Sequence, residues 1–252
     1  MKIPKIHRAC PWTVASVMVA ASVLRPLMPA CSLQAADSMI WPLYRGNAQR
    51  TGVSPSKGPE KMRVRWEVPL THEIASAPVV HEKGRLYLAA GTDAWCADAA
   101  EKVSWRHDFA KSRHADKFGS WNGFLTALEL DGKVRWALDL KDRLTSAPAV
   151  TANGEVLIVS FEGTLFKVSA KGELIWQTEA KGRYSSPLVT ADGRVLVGTQ
   201  DGFLRVYALA DGKLVSELKL LPNWGAITAS PVPGGDGVIY LGGQDGVLRA
   251  IE

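Results

Sequence analysis

The sequence predicts an all-β fold: a β-propeller of four-stranded antiparallel blades, with about four repeats forming a small or partial propeller. Two observations carry this prediction. Short apolar runs return at a spacing of forty residues, and residues typical of turns separate them. The pattern is clearest in residues 133–172, with runs at Lys133–Leu140, Thr145–Thr151, Glu155–Ser160 and Thr164–Ser169. Units of about forty residues with four strands are typical of propeller blades.

Two features recur from unit to unit. A tryptophan lies at Trp66, Trp136 and Trp176, and the equivalent of the fourth copy is Val215. A strand with a Ser/Pro pattern follows each time, and it contains Pro78, Pro148, Pro187 and Pro231. We interpret these seven tryptophans and prolines as structural blade positions. One bulky tryptophan per unit is suited to filling the gap between adjacent blades.

Side-chain patterning shows how the strands pack. Val134, Trp136 and Leu138 alternate with less apolar neighbours, which is typical of a strand with one wet face. Residues 156–159 are apolar on both faces. We therefore expect the inner strands of each blade to lie between two neighbouring blades.

Turn chemistry agrees with this meander. Asp-Gly, Asn-Gly and Glu-Gly pairs separate the runs, and such pairs favour tight turns with positive φ. The pairs begin at Asp131, Asn153, Glu162, Asp192, Asp201, Asp211, Asp236 and Asp245. No run supplies the oxygen-rich spacing of a calcium loop, so we interpret these acidic residues as turn formers.

One interval breaks the period. Trp66 and Trp136 are 70 residues apart, whereas Trp136 and Trp176 are 40 apart. The spacing predicts an insertion of about 29 residues, Asp93–Trp121, in a turn between two strands. Insertions in such repeats usually lie in loops on one face.

The amino terminus predicts a secretory signal peptide at residues 1–36, because basic residues precede an apolar stretch from Pro11 to Leu24 and then small residues. Residues 37–61 form a lead-in segment, and residues 62–252 the repeats. Met28–Cys31 loosely resembles a lipidation site, which leaves a lipid anchor through Cys31 as an alternative to simple cleavage.

Charge argues against a nucleic-acid partner. The leader contains four basic and no acidic residues, so 26 basic and 25 acidic residues remain behind it. The high pI of about 9.1 belongs largely to the leader. No basic cluster is visible in the remainder. Cys96 is then the one cysteine left, which excludes an intrachain disulfide in the exported chain.

At this point the residues resemble a known family. The forty-residue unit, with its tryptophan, its Ser-x-Pro strand and its closing Asp-Gly-x-Leu turn, resembles the pyrroloquinoline-quinone-type (PQQ-like) β-propeller repeat. Residues 41–52 resemble the Trp-Pro-x-aromatic-Arg-Gly opening of exported bacterial members. The resemblance covers roughly residues 41–252.

The resemblance implies two functional branches. One consists of quinoprotein dehydrogenases, which bind the quinone with calcium; the other consists of non-enzymatic scaffolds, including the lipoprotein accessory of outer-membrane β-barrel assembly. The chain has no adjacent cysteines, no Cys-x-x-Cys-His site and no recognisable calcium set. We therefore expect a non-enzymatic scaffold without a cofactor, exported to the periplasm or cell envelope and binding protein partners. A PQQ-dependent oxidoreductase with calcium, or a truncated remnant of one, remains the alternative.

The resemblance implies seven or eight blades, whereas four units are visible. Three arrangements follow: a small closed ring, two chains that associate into one larger propeller, or an open half-propeller. Arg63–Val68 is a candidate for the tryptophan strand that is missing after the last unit.

The predicted insertion is the non-repetitive part of the domain, so we place the interaction candidates there. They are Trp95, Trp105, Arg106, Arg113 and Trp121, because exposed tryptophan and arginine often anchor interfaces. The spacing of His107 and His114 is wrong for zinc, and Cys96 has no recognisable catalytic base. The repeated Ser76, Ser146, Ser186 and Ser230 are better explained by strand packing than as nucleophiles.

Overall fold

The computed structural model describes residues 18–20, 64, 66–70, 74, 78–81, 85–90, 93–98, 102–108, 123–222, 225–234 and 237–252. These residues contain eighteen β-strands in five sheets, and no helix. The all-β propeller fold with four-stranded antiparallel blades is confirmed. The described strands group into five sheets, compared with the expected number of about four repeats.

Three of the sheets are complete antiparallel blades, each with its strands in chain order. The first comprises β2 (Val79–His81), β3 (Arg85–Ala90), β4 (Asp93–Ala97) and β5 (Val103–Asp108). The third comprises β8 (Ala149–Val150), β9 (Val156–Val159), β10 (Thr164–Val168) and β11 (Leu174–Glu179). The fourth comprises β12 (Leu188–Val189), β13 (Arg194–Gly198), β14 (Phe203–Ala208) and β15 (Leu214–Lys219).

Among the residues that the structure describes, the second and fifth sheets have three strands each. In the second, β6 (Phe124–Leu128) pairs antiparallel with β7 (Val134–Asp139) and parallel with the short β1 (Met18–Ala20). The fifth comprises β16 (Val232–Pro233), β17 (Ile239–Gly242) and β18 (Leu248–Ile251). Apart from β1, the predicted signal peptide lies outside the described residues, and it stays a prediction. No helix long and apolar enough to cross a membrane occurs among the described residues.

The blade boundary falls inside residues 133–172. The tryptophan strand β7 belongs to the second sheet, whereas β8, β9 and β10 belong to the third. The interpretation of residues 133–172 as one blade is therefore wrong. A blade begins at the Ser/Pro strand and ends with the next tryptophan strand, because that strand pairs with the one before it in the chain.

The predicted insertion is also wrong for residues 93–108. Strands β4 and β5 lie inside the segment Asp93–Trp121, and they are the third and fourth strands of the first blade. Trp105 lies opposite Cys96, just as Trp136 lies opposite Ala127 and Trp176 opposite Lys167. The long interval thus contains an extra blade tryptophan. Residues 109–121 lie outside the described residues.

The irregularity in the repeat is a shortened connection. Fifteen residues separate β5 from β6, whereas 24 separate β7 from β10 and 23 separate β11 from β14. In the two longer connections those residues include the first two strands of a blade. In the third blade the third strand, β10, pairs with the second strand, β9. In the second sheet the corresponding neighbour of β6 is β1.

The core is shared between neighbouring blades. On β9, Val156 and Ile158 pack in a cluster with Leu125 of the second sheet. The alternate residues Leu157 and Val159 pack in a second cluster with Val195 and Val197 of the fourth blade. A third cluster joins the fourth and fifth sheets. The prediction that strands apolar on both faces lie between blades is confirmed.

Candidate functional site

The first strands of neighbouring blades meet through their serine hydroxyl groups. The Ala147 N–H donates to Ser186 Oγ at 2.9 Å, and the Ser186 N–H donates to Ser230 Oγ at 3.0 Å. Ser146 Oγ accepts from the Val159 N–H within its own blade at 2.9 Å. These three hydroxyl groups hold backbone together, which agrees with the packing interpretation. Ser76 lies outside the described residues.

The tryptophans join neighbouring blades at the opposite side of each sheet. The indole Nε1 atoms of Trp105, Trp136 and Trp176 donate to backbone carbonyl oxygens at 3.0, 3.0 and 3.2 Å. The acceptors are Leu130, Ala170 and Leu209, which lie in the turn before the last strand of the following blade. Trp136 and Trp176 are thus interblade residues, as predicted, and Trp105 is a third. Trp66 is described outside any strand.

The fourth blade lacks this tryptophan. Pairing of β14 with β15 places Ser216 opposite Val206, at the position that Trp176 occupies in the preceding blade. The assignment of Val215 was therefore displaced by one residue. The Pro positions of the repeats differ in burial: Pro187 and Pro231 are buried, Pro148 is half-buried and Pro78 is exposed.

The interaction candidates that are described are parts of the first blade. Trp95 is buried in β4, and the Arg106 guanidinium lies 5.2 Å from its ring centroid. Arg106 Nε also donates to the fully buried Asp93 at 2.9 Å. These contacts stabilise the sheet. Arg113 and Trp121 lie outside the described residues, so their role stays a prediction.

Other chemical groups of this segment are enclosed. The Cys96 thiol is buried, and burial raises its pKa. Burial lowers the pKa of the His107 imidazole, although Asp108 and Asp93 oppose this. Among the described residues, no group of three or more His, Cys, Asp or Glu side chains is placed to hold a metal ion.

A different place combines an open cavity with charged and aromatic side chains. It is a cavity of about 380 Å³ between the third and fourth blades, which we call the Phe161 cavity. Its lining residues are Phe161, Glu162, Lys181, Gly182, Arg183, Gln200 and Asp201. They come from the turn before β10, the loop after β11 and the turn before β14. All three segments lie on the same face, because the strands of each blade run antiparallel.

Both blades hold the loop after β11. The Ala180 N–H donates to Gly163 O at 2.9 Å, and the Gln200 N–H donates to Lys181 O at 2.8 Å. Lys181 has a φ of 52°, a left-handed conformation in which a non-glycine residue is strained. A side chain at Gly182 would come within 2.7 Å of Val159 and 2.9 Å of Val197. The loop is thus fitted closely against both sheets.

The Phe161 ring carries two guanidinium groups. The central carbon of Arg143 lies 3.8 Å from the ring centroid, and that of Arg183 lies 3.6 Å from it. Tyr184 meets the same ring edge-on, with centroids 6.1 Å apart. Stacking on an aromatic face fixes the plane of a guanidinium while its edge remains able to donate hydrogen bonds.

The two acidic residues of the cavity are already paired. Glu162 accepts a hydrogen bond from Arg143. Asp201 pairs with Arg205 at 2.9 Å and with Lys181 at 3.7 Å. Burial raises the pKa of the Asp201 carboxyl, but hydrogen bonds from Thr199 and Arg205 outweigh it, so the net pKa is lowered.

Arg183 differs from these cations. No carboxylate pairs with it among the described residues, and its Nε is buried without a hydrogen-bond partner there. Its backbone carbonyl accepts from Thr145 Oγ1 at 2.5 Å, which fixes the main chain. The Phe161 cavity therefore presents one positioned guanidinium that makes no hydrogen bond or ion pair with its side-chain nitrogens among the described residues.

Sequence reasoning missed this cavity, although one signal was present. Arg143 and Arg183 recur at the forty-residue spacing of Trp136 and Trp176, just before two Ser/Pro strands. Phe161 also departs from the repeat. In the next two sheets the equivalent position, two residues before the turn glycine, is a glutamine, Gln200 and Gln244.

Comparison with known proteins agrees with the repeat structure. The family model described as outer membrane protein assembly factor BamB matches residues 122–252, about half of the chain. The chain belongs to the BamB family. This range includes the third, fourth and fifth sheets and every residue of the Phe161 cavity.

Individual relatives match part of their length. "Protein Rv3035" of Mycobacterium tuberculosis is 22% identical over 183 residues, which are 73% of this chain and 38% of that protein. The outer membrane protein assembly factor BamB of Moranella endobia is 36% identical over 104 residues, 36% of this chain and 27% of that protein. The chain thus spans well under half the length of these relatives. The crystal structure of BamB from Moraxella catarrhalis superposes with a TM-score of 0.60 at 17% identity, covering 73% of this chain and 62% of that one.

Proposed function

We propose that this BamB family member is a non-enzymatic, protein-binding scaffold of the cell envelope that acts in the assembly of outer-membrane proteins. The observation that carries the proposal is the family match over residues 122–252, whose description is that of an outer membrane protein assembly factor. The BamB of Moranella endobia bears the same description.

The geometry supports binding through loops on a rigid array. Interleaved apolar clusters hold the third, fourth and fifth sheets together. Loops held by such a scaffold are the usual place of binding residues. The face that carries the Phe161 cavity presents exposed Glu162, Tyr184 and Gln200 beside stacked arginine side chains. Aromatic residues and arginine are enriched at protein interfaces.

Site-directed photocrosslinking in intact cells tests this proposal. A photoreactive residue is placed at Glu162 or Gln200, on the cavity face, and as a control at Arg194, which lies at the opposite ends of the strands. We expect both cavity positions to crosslink the same envelope protein, identified by mass spectrometry, and the Arg194 position not to crosslink it.

Two results would contradict the proposal. One is the absence of any crosslink from both cavity positions in the envelope fraction. The other is saturable binding of pyrroloquinoline quinone with calcium by the purified chain, accompanied by alcohol- or sugar-dependent dye reduction. That second result would establish the oxidoreductase alternative.

A further inference from the structure

We infer that the Phe161 cavity recognises an acidic side chain of a partner protein, with the Arg183 guanidinium as the carboxylate anchor. This inference rests on the proposed function and names the partner chemistry that the cavity takes. Three observations carry it: the unused donors of Arg183, the fixed orientation of its guanidinium, and the surplus of positive charge around it.

The Arg183 guanidinium has unused hydrogen-bond donors. Its Nε is buried and has no hydrogen-bond partner among the described residues. Its two terminal Nη atoms likewise have no hydrogen-bond partner there, but they are not buried. The Nη atoms are therefore the donors that a ligand oxygen in the cavity can reach, and hydrogen bonds from a charged donor are the stronger ones.

The orientation of the guanidinium favours a planar acceptor. The central carbon of Arg183 lies 3.6 Å from the Phe161 centroid, so the guanidinium plane is held against the ring, and the two Nη atoms can donate two parallel N–H bonds. A carboxylate matches this fork with its two oxygens. The rotamer is held before binding, so little further side-chain entropy is lost.

The charged groups in and beside the cavity have a net charge of +2, because five cations, Arg183 among them, face three carboxylates. Arg143 pairs with Glu162, and Arg205 pairs with Asp201 and also with Glu217 at 2.9 Å. Lys181 lies 3.7 Å from Asp201, and the Lys219 ammonium donates to the Asp201 carbonyl at 2.5 Å. An anion therefore meets cations that are not fully neutralised.

A protein carboxylate fits better than a phosphate group. Glu162 and Asp201 line the same cavity and would repel a ligand with two negative charges more strongly than one with a single charge. The volume of about 380 Å³ accommodates a side chain together with part of its backbone. Tyr184, which is 43% exposed and touches Phe161, offers an adjoining aromatic surface to the rest of that segment.

Peptide titration of the purified full chain tests the inference. The probes are two acetylated and amidated peptides of identical sequence with one central Glu or Gln, followed by calorimetry. We expect the Glu peptide to bind about tenfold more tightly, which is typical of a hydrogen bond to a charged group. Arg183→Gln should abolish this preference, whereas Arg194→Gln on the opposite face should keep it.

Further variants make the outcome decisive. Glu162→Gln removes a negative charge from the cavity wall and should strengthen binding of the Glu peptide a few-fold. Arg183→Lys keeps the charge but loses the planar fork, and should lose most of the preference; it replaces Arg183→Gln if that variant melts at a lower temperature. Inorganic phosphate and acetate are titrated in parallel.

Several results would overturn the inference: equal affinity for both peptides, a Glu preference that survives Arg183→Gln, or binding of phosphate or acetate as tight as that of the Glu peptide. If the crosslinks from Gln200 persist while the Glu preference is absent, the scaffold function stands and the carboxylate inference fails. If both crosslinks and peptide binding are absent, the proposed function fails as well.

Discussion

At the scale of single residues, the repeat depends on pairs that link one blade to the next. A tryptophan of one blade lies against a glycine in the last turn of the following blade. A side-chain carbon at Gly132, Gly172 or Gly212 would come within 2.6 to 2.7 Å of the indole ring. Position 172 also has a φ of 86°, which L side chains rarely adopt. The tryptophan was recognisable from its spacing, but its glycine partner was not, because the contact joins residues 27 to 36 positions apart.

We predict that Gly172→Ala destabilises the protein more than Gly193→Ala. Both glycines have positive φ, but a side chain at Gly193 meets no atom within 4 Å. Gly193→Ala should cost about 1 kcal/mol of unfolding free energy from backbone strain. Gly172→Ala should cost about 1–3 kcal/mol more, because the new carbon overlaps Trp136. Urea unfolding followed by tryptophan fluorescence measures the difference, and equal losses would show that the Trp136 contact is unimportant.

At the scale of elements, most strands and turns were predictable, whereas the grouping of strands was not. All eight glycines of the predicted Asp-Gly, Asn-Gly and Glu-Gly turns have positive φ. Alternation and apolar runs are local signals, and they placed β7, β9 and β10 correctly. The blade boundary was missed because pairing of β7 with β6 rather than β8 is a long-range choice that periodicity leaves open.

The difference between local signals and long-range contacts also explains why the first blade and the Phe161 cavity were not predicted. The tryptophan spacing leaves an interval of 70 residues and predicts that Trp105 belongs to an insertion. The structure places Trp105 in β5, which a connection of only 15 residues separates from β6. The cavity was not predictable, since it exists only where the loop after β11 meets two separate turns. The forty-residue spacing of Arg143 and Arg183 marks their positions. It does not show that Arg183 has no carboxylate partner among the described residues.

Asp201, in the turn before β14, should make the free energy of unfolding depend on pH. The pKa of this carboxyl is lowered in the folded protein, where Thr199, Arg205 and Lys181 contact it. A lowered folded pKa contributes stability that is complete above the unfolded value of about 3.9 and is lost as pH falls through the folded pKa. We predict that thermal unfolding of Asp201→Asn varies less with pH below 4 than that of the wild type. An unchanged acid dependence would show that other carboxyl groups are responsible.

At the scale of the whole molecule, stability resides between the blades as much as within them. Adjacent residues of β9 point in opposite directions: Ile158 packs with Leu125 and Leu144 toward the second sheet, and Leu157 packs with Val195 toward the fourth blade. Arrays in which each unit contacts mainly its neighbours behave approximately as a sum of unit and interface terms. Damage at one interface should therefore weaken that interface before it weakens distant ones.

This leads to a prediction with a built-in control, since Leu157 and Ile158 are neighbours in one strand and both are fully buried. Leu157→Ala and Ile158→Ala should each cost about 2–5 kcal/mol, because each leaves a cavity in a packed core. The two variants should loosen different sheets, because the two side chains pack in different clusters. Hydrogen exchange measured by mass spectrometry should show faster exchange in β13 and β14 for Leu157→Ala, and in β6 and β7 for Ile158→Ala. Equal acceleration across all sheets in both variants would mean that the array unfolds as one cooperative unit, and the sharing of core between particular neighbours would then have no local energetic consequence.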